Sequence, residues 1–470
     1  MSANENLNAA DIRVILDKQR AACLANEPWT AEQRCELIDR AIGLLVDYQD
    51  EIIEALAADF GHRSRDFSRV MDVLGPVASL KYTKANIAEW MKPDVRASER
   101  GEAWVQYQPL GVVGIITAWN FPGNMVFNGL SGALAAGNRV MIKVSEYNPA
   151  TSALLARIFK EVYAEDEVAI ITGGSDIGHA FSQQPFDHLL FTGASSIGKH
   201  VMRAAAENLV PVTLELGGKS PTIISRTTDL KTAVTKIMTG KLHNAGQICL
   251  APDYVFVPEE QQEEFVATVR EVVATLFPSL RDNPDYTSVI NARHFERLHG
   301  YLNEARAAGV ELIELNPANE DFSAQPHHKM APTLLQNPGD DLQVMQDEIF
   351  GPLLPFKTYK HFTEVVSFIN SRPRPLGLYY FGSDATEESF VLSRTTSGGV
   401  TLNDVLRHAG VETLPFGGVG GSGMGAYHGF DGFRTFSHGK AVLRAADGMD
   451  VMRPPYSEQV RQIVGSMIKR

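Results

Sequence analysis

Val112-Val113-Gly114-Ile115-Ile116-Thr117 and, further on, Arg139-Val140-Met141-Ile142-Lys143-Val144 decide the fold. Each is a short, nearly unbroken apolar run, the pattern of a strand covered on both faces. Between them, residues 123–136 read as a helix and Gly137-Asn138 as a turn. A helix over 149–163 follows, then strands at Val168–Ile171 and His188–Phe191. This strand–helix–strand rhythm predicts an α/β chain with a parallel, doubly wound sheet and a nucleotide site at its carboxyl edge. After Glu215 the rhythm restarts. Strands are predicted at Thr222–Ile224, Tyr254–Val257 and Leu353–Phe356, with helices near 229–242, 260–277 and 361–371.

Outside these units the spacing is helical first and glycine-rich later. Residues 8–60 predict two helices joined around Pro28-Trp29-Thr30, where Thr30 and Gln33 have the spacing of a capping box. A third helix is predicted over 66–91, and Glu102–Leu110 alternates weakly as a strand would. Residues 411–470 are Gly-rich, then helical. A chain of 470 residues exceeds one core, so two or three domains are expected. The net charge of −13 disfavours nucleic acid, whose phosphates call for a basic surface. Cys23, Cys35 and Cys249 are too few and too scattered for a disulfide framework. The histidines offer no paired ligand spacing, so no metal is implied. No apolar run reaches eighteen residues, and Met1–Asn8 lacks the features of a secretory signal, so a cytoplasmic protein off the membrane is expected.

The candidate chemistry lies in His243-Asn244-Ala245-Gly246-Gln247-Ile248-Cys249, read with Thr213-Leu214-Glu215-Leu216-Gly217-Gly218-Lys219. Cys249 follows a Gly where a helical pattern breaks, and Glu215 ends an apolar run before a Gly-Gly turn. One nucleophile and one base on neighbouring loops suggest covalent catalysis with a hydrolytic second half. A small core cysteine beside a surface glutamate is the plainer alternative. Gly418-Val419-Gly420-Gly421-Ser422-Gly423 fits GxGxxG, but Pro415 stands before it and no helix follows, so it reads as a loop. Phe191-Thr192-Gly193-Ala194-Ser195-Ser196-Ile197-Gly198 is the better phosphate candidate, a strand opening onto a helix N-terminus. Lys143 and Glu146 flank the end of the second strand, where a carboxylate can accept from ribose hydroxyls.

Six ordered blocks carry a family resemblance: Trp119-Asn120-Phe121-Pro122, Phe191-Thr192-Gly193, Leu214–Lys219, Gly246–Cys249, Glu348-Ile349-Phe350-Gly351-Pro352 and Pro415-Phe416-Gly417-Gly418. In this they resemble the aldehyde dehydrogenases. The run Gly417–Gly429 and Arg453-Pro454-Pro455-Tyr456 are similar to the class 3 branch, most of all to bacterial coniferyl aldehyde dehydrogenases. The resemblance implies two doubly wound parallel-sheet domains plus a small oligomerisation segment. Residues 1–212 would form an NAD-binding domain with a bridging excursion near 85–108, and 213–410 a catalytic domain. Residues 411–470 would return to the cofactor domain and the contact of a homodimer. It implies oxidation of an aromatic or medium- to long-chain aldehyde to its acid, coniferyl aldehyde to ferulate among them, with NAD preferred and NADP possible. By the same resemblance Cys249 is the nucleophile, Glu215 the base and Asn120 an oxyanion donor. Thr117, Trp119, Lys143, Glu146, Gly193, Ser195, Glu348 and Phe350 would hold the cofactor, and Trp119, Phe121 and Phe416 would line an aromatic substrate tunnel. Taken alone, Asn120 also suits a turn, and the aromatics suit plain packing.

Overall fold

The structure, a computed structural model, describes residues 8–446 and 453–469; the Met1–Leu7 stretch read above for a targeting signal lies outside them. The first sheet has six strands. From one edge they are Val168–Ile171, Arg139–Lys143, Val112–Ile116, His188–Thr192, Val212–Glu215 and the short Gly423–Met424. All neighbours are parallel except the last pair, where Gly423 faces Glu215. Val112–Ile116 is central and its runs of apolar residues are buried, as the continuous pattern required. The chain leaves this strand toward one edge and returns on its other side at His188–Thr192. That reversal opens a crevice beyond the carboxyl ends of these two strands, the place where such sheets take ligands.

The chain crosses to a second sheet between Glu215 and Pro221. Its seven strands run in the order Glu311–Glu314, Thr333–Gln336, Leu353–Tyr359, Tyr254–Pro258, Pro221–Ile224, Gly377–Phe381, Gly399–Leu402, with only the first pair antiparallel. Several of these strands and the helix Ala292–Ala307 carry no clean period in the sequence, and reading by period missed them. A third, antiparallel sheet pairs Gly101–Pro109 with Asp94–Arg96 and with the late strand Ser437–Ala445.

Two helical expectations need correction. Residues 8–60 hold three helices, Ala9–Ala25, Ala31–Asp47 and Gln49–Phe60. The Thr30/Gln33 capping box is present at the first junction, but the second break, at Tyr48, has no side-chain cap to announce it. The helix expected over 66–91 runs from Arg65 to Trp90, with its turn Arg69–Leu74 widened to π geometry. Pro76 has no N–H to return to the Asp72 carbonyl, and the Gly75 N–H bonds to Val70 instead. The widened turn carries Asp72 inward, to a partner described next.

Candidate active site

The helix Leu230–Leu242 stops seven residues before the cysteine, and the chain then adopts left-handed backbone three times in a row, at Asn244, Ala245 and Gly246 (φ 50°, 51° and 75°). For a residue with a Cβ this costs about 1–2 kcal/mol, so the turn must be held from outside. Asn244 Nδ2 donates to the Asn120 and Gln247 carbonyls, both at 3.2 Å. Gln247, fully buried, donates to the Asn244 and Ser288 carbonyls (2.8 and 3.0 Å) and accepts from the Ile290 N–H (2.9 Å). A Cβ on Gly246 would lie 2.3 Å from the Gly351 carbonyl oxygen, so the loop tolerates only glycine there. Ile248 and Leu250 are driven into the core, and Cys249 between them remains half-buried.

Burial, reinforced by Glu348 and Glu215, pushes the Cys249 thiol up to about 12. Glu215 ends its strand 3% exposed, and neither carboxylate oxygen has a partner. Its backbone is clamped from both sides, since Gly193 N–H donates to the Glu215 carbonyl and Leu216 N–H to the Ser422 carbonyl, both at 3.0 Å. Burial alone holds the Glu215 carboxyl well above the usual range. A carboxyl raised in this way is a strong base once ionised. The glycine-rich loop that matched GxGxxG is seen here as a brace for Glu215, not as a phosphate cradle.

Asn120, 1% exposed, donates from Nδ2 to the Gln247 carbonyl at 3.1 Å, two residues before the cysteine. An amide has a second N–H to give. Its own carbonyl accepts from Arg63 at 3.0 Å, and Arg63 pairs with Asp72 at 2.8 Å with both side chains fully buried. Asp72 Oδ1 accepts from the Gly123 and Asn124 N–H groups (3.1 and 3.2 Å), at the start of the helix Pro122–Ala135. Sequence reasoning missed this pair, because its members come from separate turns and contact Asn120 only in three dimensions.

Of the residues expected to hold a dinucleotide, Thr117, Lys143 and Gly193 stand at the carboxyl ends of strands of the first sheet, while Glu348 and Phe350 precede the strand Leu353–Tyr359 of the second. Thr117 leaves the central strand with its Oγ1 buried and unpartnered. Lys143, 2% exposed, donates to the Val144 carbonyl at 2.7 Å and stands 3.6 Å from the half-exposed Glu146. The helix Ser195–Ala206 starts at Ala194 with no side-chain cap, which leaves its first N–H groups open to an anion. Ser195 Oγ itself is committed to the Gly421 carbonyl at 3.2 Å. A Cβ on Gly193 would meet the Phe191 ring at 2.7 Å. Glu348 Oε1 is buried and unpartnered, and a Cβ on Gly217 would sit 1.8 Å from the other oxygen. Phe350 takes a left-handed φ of 49°. Unpaired acceptors beside an open helix N-terminus fit a ligand with hydroxyls and phosphates.

The comparisons with known proteins decide the family. The model described as "Aldehyde dehydrogenase family" matches residues 2–442. The chain belongs to the aldehyde dehydrogenase family. It is 51% identical to a probable coniferyl aldehyde dehydrogenase of Caulobacter vibrioides, over 100% of both chains. It is 50% identical to the coniferyl aldehyde dehydrogenase of a Pseudomonas species, covering 98% of this chain and 97% of that one. Among solved structures, the substrate-bound Staphylococcus aureus AldH superposes with a TM-score of 0.91 at 33% identity, covering 97% of this chain and 99% of that one. A Mycobacterium tuberculosis aldehyde dehydrogenase complexed with NAD+ superposes at 0.85 with 28% identity, covering 95% and 92%.

In this aldehyde dehydrogenase the three aromatics expected in the tunnel divide. Phe121 packs on Phe67 (6.0 Å between centroids) and Phe416 on His428 (4.7 Å) and Tyr427 (5.9 Å), with Phe121, Phe416 and Tyr427 in the core cluster that Cys249 borders. Trp119 lies instead against Phe350 (5.3 Å) and His294 (5.2 Å), on the Glu348 side. Tyr427, also missed from sequence, is a buried phenol that burial and the charges of Glu215 and Cys249 keep protonated. Its position in Gly425-Ala426-Tyr427-His428 gave no chemical signal of its own.

Proposed function

We propose that this aldehyde dehydrogenase oxidises a flat aromatic aldehyde, coniferyl aldehyde to ferulate, with NAD preferred and NADP accepted. The balanced reaction is R-CHO + NAD+ + H2O giving R-COO− + NADH + 2H+. The observation that carries it is a Glu215 whose two oxygens are buried and unclaimed and whose charge acts on the Cys249 thiol. Cys249 gives its thiol proton to solvent and attacks the carbonyl carbon as thiolate. The second N–H of Asn120 and the Cys249 backbone N–H hold the oxygen that gains charge. Bound NAD supplies the hydride acceptor. The thioester left on Cys249 is hydrolysed by water that Glu215 deprotonates. Glu146 and Lys143 would bind the adenosine ribose, Glu348 the nicotinamide ribose, and Phe350 with Trp119 the ring, while Thr117 and the Gly193–Ser195 turn would meet the neighbouring polar groups.

Phe67, Phe121, Phe416 and Tyr427 give an apolar aromatic wall suited to a flat ring, and the names of the two bacterial relatives support the same substrate. A broad fatty aldehyde specificity is the second reading, because the same wall accepts an alkyl chain. A homodimer is proposed through the exposed strand Ser437–Ala445, and a cytoplasmic site because three free thiols persist where glutathione keeps them reduced. NADH formation at 340 nm with coniferaldehyde, benzaldehyde, hexanal and decanal tests substrate and reaction together. Silence across the panel with folded, reduced protein overturns the enzyme reading, and higher kcat/KM for decanal overturns the aromatic one. Glu215→Gln tests the base: a burst of about one NADH per site, then a steady rate lower by about 10²–10⁴-fold. Loss of the burst as well would move Glu215 to thiol activation alone.

A further inference from the structure

The buried ion pair Arg63–Asp72 has no part in the chemistry above, yet it is bonded to the Asn120 peptide. The Asn120 carbonyl accepts from Arg63 Nη1 at 3.0 Å and from Asn244 Nδ2 at 3.2 Å, while its own Nδ2 donates to the Gln247 carbonyl at 3.1 Å. Arg63 lies in the turn after the helix Gln49–Phe60, and its Nη2 donates to Asp72 Oδ2 at 2.8 Å. Asp72 stands in the π turn, and its Oδ1 accepts from the Gly123 and Asn124 N–H groups at 3.1 and 3.2 Å. The guanidinium carbon lies 4.7 Å from the Phe60 ring centre, 5.8 Å from Phe67 and 5.1 Å from Phe121, so three rings enclose the fork. As a source of stability such a pair is a poor choice, because apolar side chains of similar volume often serve as well or better. What apolar groups do not supply is a fixed distance between two acceptors, and a planar fork committed at both ends supplies that.

We propose that Arg63 and Asp72 are the positioning residues of the oxyanion site, setting the Asn120 amide against the Cys249 loop so that its second N–H meets the aldehyde oxygen. This rests on the reading of Asn120 as an oxyanion donor. Neither residue touches the aldehyde, and both act through Asn120. Asp72 is fixed by the start of the helix Pro122–Ala135, Arg63 by Asp72 and the three rings, and the Asn120 peptide by Arg63. Without Arg63 the Asn120 carbonyl would be held by Asn244, which moves with the cysteine loop itself. An oxyanion donor has to lie about 2.7–3.1 Å from the oxygen it serves, so small drifts of Asn120 are costly.

The test uses the full-length enzyme carrying Arg63→Met and Asp72→Asn together, which removes both charges and keeps an oxygen for the Gly123 and Asn124 N–H groups. Because no buried charge is stranded, its urea midpoint should lie above that of Asp72→Asn alone. The rate is read as NADH formation in a single turnover, with enzyme in excess over aldehyde and NAD saturating. It should fall by about 10²-fold, the cost of a displacement of about 1 Å, while the Kd for NADH by fluorescence is unchanged. Asn120→Ala should lower the same rate by about 10²–10³-fold, and adding the Arg63 and Asp72 changes to it should lower it no further. A wild-type rate in the Arg63→Met/Asp72→Asn enzyme, an equal loss of NADH affinity, or effects that multiply in the Asn120→Ala background overturn the proposal. A wild-type rate in Asn120→Ala overturns the oxyanion reading first and this one with it. If thermal melting shows that the paired variant does not fold, Arg63→Lys repeats the test, since it keeps the charge opposite Asp72 and removes the fork. The same fall in rate is then expected, and a wild-type rate overturns the proposal.

Discussion

Gly246→Ala isolates the strain that shapes the cysteine loop. The added methyl group would hold a left-handed φ of 75° and lie 2.3 Å from the Gly351 oxygen and 2.8 Å from its carbon. The backbone conformation costs an alanine about 1–2 kcal/mol more than a glycine. The contact needs about 1 Å of relief, and overpacking of this kind costs about 1–3 kcal/mol. The sum is about 2–5 kcal/mol, read as a lower urea midpoint at unchanged slope. Whichever side yields, the displacement reaches chemistry, since Cys249 is three residues on and Gly351 follows Glu348 by three. A misplacement of about 1 Å costs about 10²-fold in kcat. Gly300→Ala is the control: it lies inside the helix Ala292–Ala307 with open space at its Cβ position, and should stabilise by about 0.5–1 kcal/mol with full activity. Gly246→Ala with wild-type midpoint and kcat would refute the reasoning.

Asp72→Asn should lower stability by about 3–5 kcal/mol by stranding the fully buried Arg63, and a urea midpoint within error of wild type would show that the pair is not the counter-charge. His188 and His428 are held neutral by burial, each down to about 4, so their stabilisation is complete above pH 6.5 and is lost as pH falls through about 4. That amounts to about 3 kcal/mol each, and melting temperature should drop between pH 7 and 5 with a shallower slope in His428→Gln. Glu146→Ala should weaken NAD binding by about 1–3 kcal/mol and narrow the gap between NAD and NADP in kcat/KM, and an unchanged ratio would remove Glu146 from the ribose.

Elements with a local cause were legible in the sequence. The continuous apolar strands Val112–Ile116 and Arg139–Lys143 and the Thr30/Gln33 capping box carry their instructions within a few residues. Cys249 and Glu215 were legible because each stands beside a glycine break. What was not legible depends on partners far apart in the chain. Arg63, Asp72 and Asn120 meet only after the π turn moves Asp72 inward, and nothing in Arg69–Leu74 spells that turn without its three-dimensional partners. Tyr427 and Lys241 were passed over for the same reason. A lysine on a helix normally reads as solvated, and only the packing of the rest of the fold around the helix Leu230–Leu242 makes Lys241 a buried charge.

The unpaired atoms of the cleft explain why so much of the surrounding structure is over-determined. Glu215 Oε1 and Oε2, Glu348 Oε1, Thr117 Oγ1 and Lys241 Nζ are all buried without partners. Each unmet group of this kind costs about 1–3 kcal/mol, and a fold free to relax would turn it toward the nearest carbonyl or N–H. Here the escape routes are closed by neighbours that are already satisfied. Gln247 uses both ends of its amide on the loop, Asp253 is divided between Lys219 and Ile349, and Asp72 is divided between Arg63 and a helix N-terminus. Side chains that could have paired with the reactive groups are therefore spent on holding backbone. The acceptors of the cleft stay open, and in the proposed function the partners that complete them are ribose hydroxyls and the attacking water.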